Sequence, residues 1–258
     1  MNPSRTPVTR VAALYDIHGN LPALEAVLDE VRRADVDHIV VGGDVLPGPL
    51  VHQTMARLLS LDRAVSFIQG NGEIAVLEAR SGLLSEPLPE HAHAVVRWAA
   101  RALSAEDAAV VASWPLQVTL PIDGIGDVLF CHGTPRHPNE IFIASTPEAS
   151  LRPLFDPLDV PFVVCGHTHM PFDRRIGPTR VVNAGSIGMP FGEPGADWLL
   201  LGPDVDQRHT IYDLYDAAKR VRASGYIDAD AFAAQIFEPL PAAQMREAFA
   251  GAELKYGR

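Results

Sequence analysis

The sequence predicts an α/β fold, and three observations predict it. Short apolar runs alternate with segments of helical period through the first third of the chain. Each run stops at a cluster of Gly with Asp, Asn or His. The chain is also long enough, at 258 residues with 47% apolar and 21% charged side chains, to bury a core of this kind in one domain. Residues 1–210 are expected to form that domain, with a helical insertion over about 80–115. Residues 211–258 are expected to add a C-terminal helical extension packed on it.

Taken in order, Val11–Ile17 reads as a buried strand that ends among Asp16, His18, Gly19 and Asn20. Leu21, Leu24, Val27, Leu28 and Val31 then follow a helical period, with Pro22 tolerated in the first turn. Residues 38–41 form a second strand closed by Gly42-Gly43-Asp44, and residues 65–68 a third closed by Gly70-Asn71-Gly72. Strand, helix, strand, helix, strand is the order of a parallel sheet. Residues 86–115 are alanine-rich and helical, with Ser104 and Asp107 at capping-box spacing, and are expected to pack over one sheet edge. Residues 116–120, 127–131, 162–165 and 180–182 read as strands of a second, mixed or antiparallel sheet. Thr146-Pro147-Glu148 starts the one helix among them. From about Tyr212 the pattern is helical again, and Gly225 stops the first helix there.

Composition narrows the function. The N-terminus lacks the apolar run of a signal peptide, and no stretch reaches the roughly 18–20 apolar residues of a membrane span, so a cytoplasmic protein is expected. Cys131 and Cys165 are too few for a disulfide framework and read as reduced, buried thiols. The net charge of −11 disfavours long nucleic acid as a partner. It leaves small phosphorylated substrates open, because bound dications reverse the local field. A homo-oligomer is compatible with the sequence, but no residue specifies one.

The chemistry lies at the strand ends. They carry Asp16-Ile-His18, Gly43-Asp44, Gly70-Asn71, His132-Gly133 and Gly166-His167-Thr168-His169. Ligands bind at the carboxyl ends of strands in such sheets. Imidazole nitrogens with carboxylate and amide oxygens suit manganese, iron or zinc. Any one of these motifs has a bland explanation as a turn or a satisfied core histidine; the ordered series closed by His-x-His does not.

In this order the motifs resemble the signature of the calcineurin-like metallophosphoesterase superfamily over roughly residues 11–200, and Asn183-Ala-Gly-Ser186 is similar to the stretch that ends it. Within it the chain resembles the small bacterial YfcE-type phosphoesterases. The resemblance implies a four-layer α-β-β-α sandwich of two stacked mixed sheets with metals at one edge. It implies that Asp16, His18, Asp44 and His169 hold a first divalent metal, and Asp44, Asn71, His132 and His167 a second, with Asp44 bridging. Manganese leads, with iron, zinc or nickel as alternatives. The implied activity is hydrolysis of a small phosphomonoester or phosphodiester by a metal-bridging hydroxide, with Asp44, Asn71 and His132 as the catalytic set.

The chain departs from the pattern at Gly72, where many members carry a histidine that can act as general acid or stabilise the transition state. Arg136 and His137, just after the His132 loop, are candidates to reach a substrate phosphate. Asn20 either touches phosphate or shapes its turn. Glu73 is expected to fix its loop, His91 and His93 to face solvent, Trp98 and Trp114 to anchor the core, and Met189-Pro190-Phe191-Gly192 to turn the chain. The segment after Asp44 lacks the arginine of the serine/threonine protein phosphatases, which argues against phosphoprotein substrates. The competing reading is a catalytically weak or inactive metal-binding module acting in protein–protein interaction. It draws on Gly72 and is opposed by seven ligand-type side chains.

Overall fold

The computed structural model describes residues 7–83 and 90–255. In chain order the elements are β1 (Val11–Leu14), α1 (Leu21–Arg33), β2 (His38–Val41), α2 (Val51–Leu59), β3 (Ala64–Phe67), α3 (Asn71–Ser81), α4 (Glu90–Ala102), α5 (Ala105–Ala112), β4 (Gln117–Ile122) and β5 (Gly126–Cys131). There follow α6 (Glu148–Phe155), β6 (Phe162–Cys165), β7 (Phe172–Ile176), β8 (Thr179–Asn183), β9 (Ala196–Leu201), β10 (Val205–Thr210), α7 (Leu214–Ala223), α8 (Ala229–Phe237) and α9 (Ala242–Ala250). Residues 84–89 of the predicted insertion lie outside the described residues.

Period-2 side-chain alternation sorts the strands into layers. Val11, Ala13 and Tyr15 face Phe130, Val164 and Val182 across the gap between two sheets. Ala12 and Leu14 point the other way, into a core shared with α1 to α5. On the far side, Leu129, Val163 and Val181 pack on Leu151, Leu154 and Phe155 of α6. The result is helices, sheet, sheet, helices, each sheet with five strands, in the orders β10-β9-β1-β2-β3 and β4-β5-β6-β8-β7.

The first sheet is mixed, as the resemblance implied, and its β1–β3 part is parallel, as the opening alternation predicted. β1, β2 and β3 are parallel, but β9 returns antiparallel to β1 and carries β10 beside it. The second sheet is mixed as expected, with β5, β6 and β8 parallel and β4 and β7 antiparallel at its edges.

Local chemistry explains the element ends near the site. Asn20 caps α1 by accepting from Ala23 N at 3.3 Å, and Arg32 and Arg33 close that helix where its dipole is negative. Ser104 accepts from Asp107 N at 2.9 Å and caps α5. α4 and α5 bury Val96, Ala99, Leu103 and Val111 in the same core as α2 and α3. α7 and α8 form a smaller core of Ala217, Val221, Phe232 and Ile236, closed by Trp98 and Tyr212. Trp98 meets Tyr226 edge-on and Trp114 stacks on Phe67, so both are anchors. No helix among the described residues is long and apolar enough to cross a membrane.

Candidate metal centre

The loops after β1, β2, β5 and β6 and the start of α3 bring the seven candidate ligands together. Asp16, His18 and His169 offer ligand atoms within 4.8 Å of one another, and so do Asp44, His132 and His167. Each cluster draws on both sheets. Asp16, His18 and Asp44 follow strands of the first sheet, and His132, His167 and His169 follow strands of the second. Asn71, at the first turn of α3, lies 3.0 Å from His132 Nε2 through its Oδ1.

Five of the seven stand in left-handed backbone: Asp16 at φ 52°, His18 at 47°, Asp44 at 51°, His167 at 67° and His169 at 56°. Side chains with a Cβ disfavour this region by roughly 1–2 kcal/mol each. Such strain concentrates where the position of a side chain matters more than local stability.

The hydrogen bonds define what the imidazoles present. Backbone carbonyls only accept, so a nitrogen bonded to one carries the proton. His132 Nδ1 donates to Gly42 O at 2.9 Å, His169 Nδ1 to Met189 O at 2.8 Å, and His18 Nδ1 to Pro47 O at 3.2 Å. All three Nε2 atoms then turn inward. His18 Nε2 faces His169 Nε2 at 3.2 Å, and His132 Nε2 faces the acceptor Asn71 Oδ1. Two unprotonated nitrogens at that separation repel unless a cation or a proton lies between them. His167 Nε2 is buried with no hydrogen-bond partner, as is Asp16 Oδ1, which lies 3.3 Å from His169 Nε2 and 3.8 Å from His132 Nε2.

The titration of these groups follows from the crowding. Burial pushes the His132 imidazole down, but Asp44 and Asp16 outweigh that and raise it to about 10. Burial, then the neighbouring His132, lowers His167 to about 4. Burial opposes ionisation of Asp44, yet His132 beside it holds the carboxyl well below the usual range. The orphaned nitrogen, the opposed Nε2 atoms and the mixed oxygen/nitrogen donors fit divalent transition metals.

The other candidate residues are placed by their hydrogen bonds. Glu73 is fully buried and accepts from Gly70 N, Asp44 N and Leu46 N at 2.7, 2.8 and 2.9 Å, fixing its loop as expected. The Asn20 amide donates to Gly188 O and Tyr212 Oη while its oxygen caps α1, bonds that shape the turn as one of its two expected roles. Arg136 is engaged by the buried carboxylate of Glu140, through Nε at 3.2 Å and through Nη2, and that carboxylate also accepts from Thr134. His137 uses Nδ1 to accept from Asn139 N inside the same loop. His91 is exposed, and His93 is partly buried.

The Met189–Gly192 stretch is more than a turn. Met189 O orients His169, and the Phe191 ring stacks on the His169 ring with centroids 5.3 Å apart. Sequence reading missed both roles, because a carbonyl's partner and a ring's neighbour leave no composition signal. The missing histidine at position 72 also has a structural cause. A Cβ on Gly72 would lie 2.0 Å from Leu46 O and 2.9 Å from Asp44 Oδ1, and Gly72 N donates to that same oxygen at 2.7 Å.

The two-sheet sandwich brings His, Asp and Asn donors together at the strand ends as a candidate divalent-metal centre. The chain belongs to the calcineurin-like phosphoesterase superfamily, whose domain model matches residues 10–203. It is 28% identical over 177 residues to an uncharacterized protein of Methanocaldococcus jannaschii, covering 69% of each chain. It is similar to a metallophosphoesterase structure from Sphaerobacter thermophilus (25% identity, TM-score 0.69, 88% of this chain and 98% of that one). A hypothetical protein from Pyrococcus horikoshii shares the fold at 21% identity and TM-score 0.74, over 90% of this chain and 99% of that one.

Proposed function

We propose that this protein hydrolyses a small phosphate ester with two divalent metals, manganese foremost, held by Asp16, His18, Asp44 and His169 and by Asp44, Asn71, His132 and His167. The observation that carries the reading is the set of three imidazoles whose Nδ1 atoms are bound to carbonyls and whose Nε2 atoms converge on acceptors. Asp44 suits the bridging place, since its Oδ2 lies 3.7 Å from His18 Nε2 in one cluster and its Oδ1 3.4 Å from His132 Nε2 in the other. Two bound dications supply charge that neutralises non-bridging phosphate oxygens and acidifies water.

The chain's own residues do the rest. Asn71 keeps its NH₂ available to donate to a phosphate oxygen when its Oδ1 serves a metal. Gly42, Pro47 and Met189 carbonyls fix the tautomer and direction of three ligands, so little reorganisation accompanies binding. The charge of −11 favours a small substrate over long nucleic acid. The competing reading, a metal-binding module without turnover, rests on Gly72 alone.

The test is hydrolysis of p-nitrophenyl phosphate and bis-p-nitrophenyl phosphate by chelator-stripped protein with manganese restored. Turnover that returns with manganese and is abolished by Asp44→Asn is expected. Two bound metals without cleavage of either ester would favour the non-catalytic module.

A further inference from the structure

Two features of the rim bear on the ester this centre accepts, on the reading that it is a phosphoesterase. The first is position 72. The carbonyl of Leu46 occupies the space a side chain would need there, at 2.0 Å from an ideal Cβ, and backbone atoms do not yield as a side-chain tip would. No proton donor can be supplied to the leaving oxygen from this position, so a leaving group that is stable as an anion is favoured over an alkoxide.

The second feature is an aromatic wall built by the C-terminal segment. Phe191 lies on the His169 ring, and the Phe249 ring of α9 lies on Phe191 with centroids 6.2 Å apart. Both phenylalanines are only partly buried, which leaves apolar ring surface beside a candidate ligand. α9 buries none of its nine residues, so core packing does not explain its placement. Its flanks are tied to two different loops of the chain. Before it, Leu240 O accepts from Gly192 N at 3.0 Å, next to the wall. After it, Leu254 N donates to Ile141 O at 3.0 Å, and Thr146 Oγ1 donates to Glu253 Oε1 at 2.8 Å, on the chain that follows the His132 loop. A nine-residue helix spans about 14 Å, and its two flanking ties hold Phe249 beside Phe191.

We propose that the substrate is a phosphate ester of a planar, phenol-class alcohol, its ring packed against Phe191 and Phe249 and its oxygen leaving as the anion. Water oxygen bonds to phosphorus as the P–O(aryl) bond breaks, and that bond's electron pair departs with the aryl oxygen. One water is consumed; aryloxide and dihydrogen phosphate leave, and the aryloxide takes its proton from solvent.

The test uses the manganese-loaded full chain and two non-hydrolysable probes with the same head, phenylphosphonate and methylphosphonate, titrated by calorimetry. The wild type is expected to bind phenylphosphonate about tenfold more tightly, in line with the worth of aromatic contacts. Phe249→Ala is expected to remove most of that difference and leave methylphosphonate binding unchanged. Equal binding of the two probes by the wild type, or equal weakening of both in the variant, overturns the wall. A second arm follows kcat across aryl phosphates of graded phenol acidity. A steep rise with acidity is expected, and a flat response overturns the absence of a proton donor. If neither phosphonate binds, the phosphoesterase reading itself falls, a result distinct from the others.

Discussion

Glu73 is where a single side chain organises the most backbone. Its carboxylate gathers amides from two loops, those carrying Asp44 and Asn71, with no solvent contact. Burial and then the charge of Asp44 raise it to about 7. Glu73→Gln replaces one acceptor oxygen with an NH₂ that faces a backbone donor, leaving a buried N–H unsatisfied. Such a loss costs about 1–3 kcal/mol, and thermal denaturation of the variant should show it as a drop of roughly 2–12 °C. An unchanged melting temperature would mean the loops hold themselves. At this scale the ligand types were legible in the sequence, because polar residues that end apolar runs stand out. The left-handed backbone at Asp16, His18, Asp44, His167 and His169 was not, since none is glycine and only the fold imposes it. Nor was the commitment of Asn20 to Gly188, 168 residues away, which depends on tertiary placement. Arg136 and Glu140 are only four apart, but they lie in a loop with no helical period to announce the pair.

At the scale of elements, the plainest strands were those buried on both faces. β1, β6 and β2 after His38 are continuous apolar runs, and a run of that kind announces itself whatever its neighbours. The edge strands β3 and β4 were legible as well, because apolar residues still predominate in them. β7 and β10 are edge strands with sequences Phe-Asp-Arg-Arg-Ile and Val-Asp-Gln-Arg-His-Thr, charged where they meet solvent, and they gave no such signal. β9 is apolar, but its antiparallel return to β1 from far along the chain is a topological choice that periodicity does not encode. The β9–β10 pair also carries a titratable link. His209 Nδ1 lies 2.7 Å from Asp197 Oδ1, and its Nε2 lies 3.1 Å from Pro194 O. Burial lowers the His209 imidazole, but the hydrogen bond to Asp197 outweighs it and the net shift is upward. A folded-state value above the unfolded one near 6.5 gives stability that is complete below about 6.5 and lost as pH rises through the folded value. Burial raises Asp197 despite His209, so the pair also weakens in acid as that carboxylate protonates. His209→Gln should therefore lower the melting temperature more at pH 6 than at pH 9, and an equal loss at both would remove the ion pair from the account.

On the scale of the whole molecule, the centre is also the joint between the two sheets. Asp16 and His18 from the first sheet meet His169 from the second, and Asp44 from the first meets His132 and His167 from the second. An ion in either place therefore binds only when both sheets are packed as they are here, and the unfolded chain holds no such pair of clusters. Binding to the folded state alone stabilises by about 2.7 kcal/mol per site at a metal concentration one hundred times Kd. For a chain of this size, each kcal/mol moves the melting temperature by roughly 2–4 °C, so one occupied site is worth about 5–11 °C. Differential scanning calorimetry of stripped protein with and without manganese measures this directly. The shift should be smaller in Asp44→Asn, which weakens both clusters at once, than in the wild type. A shift of the same size in both proteins would mean that manganese binds elsewhere. That outcome would take the metal centre out of the fold's energetics as well as out of the proposed chemistry.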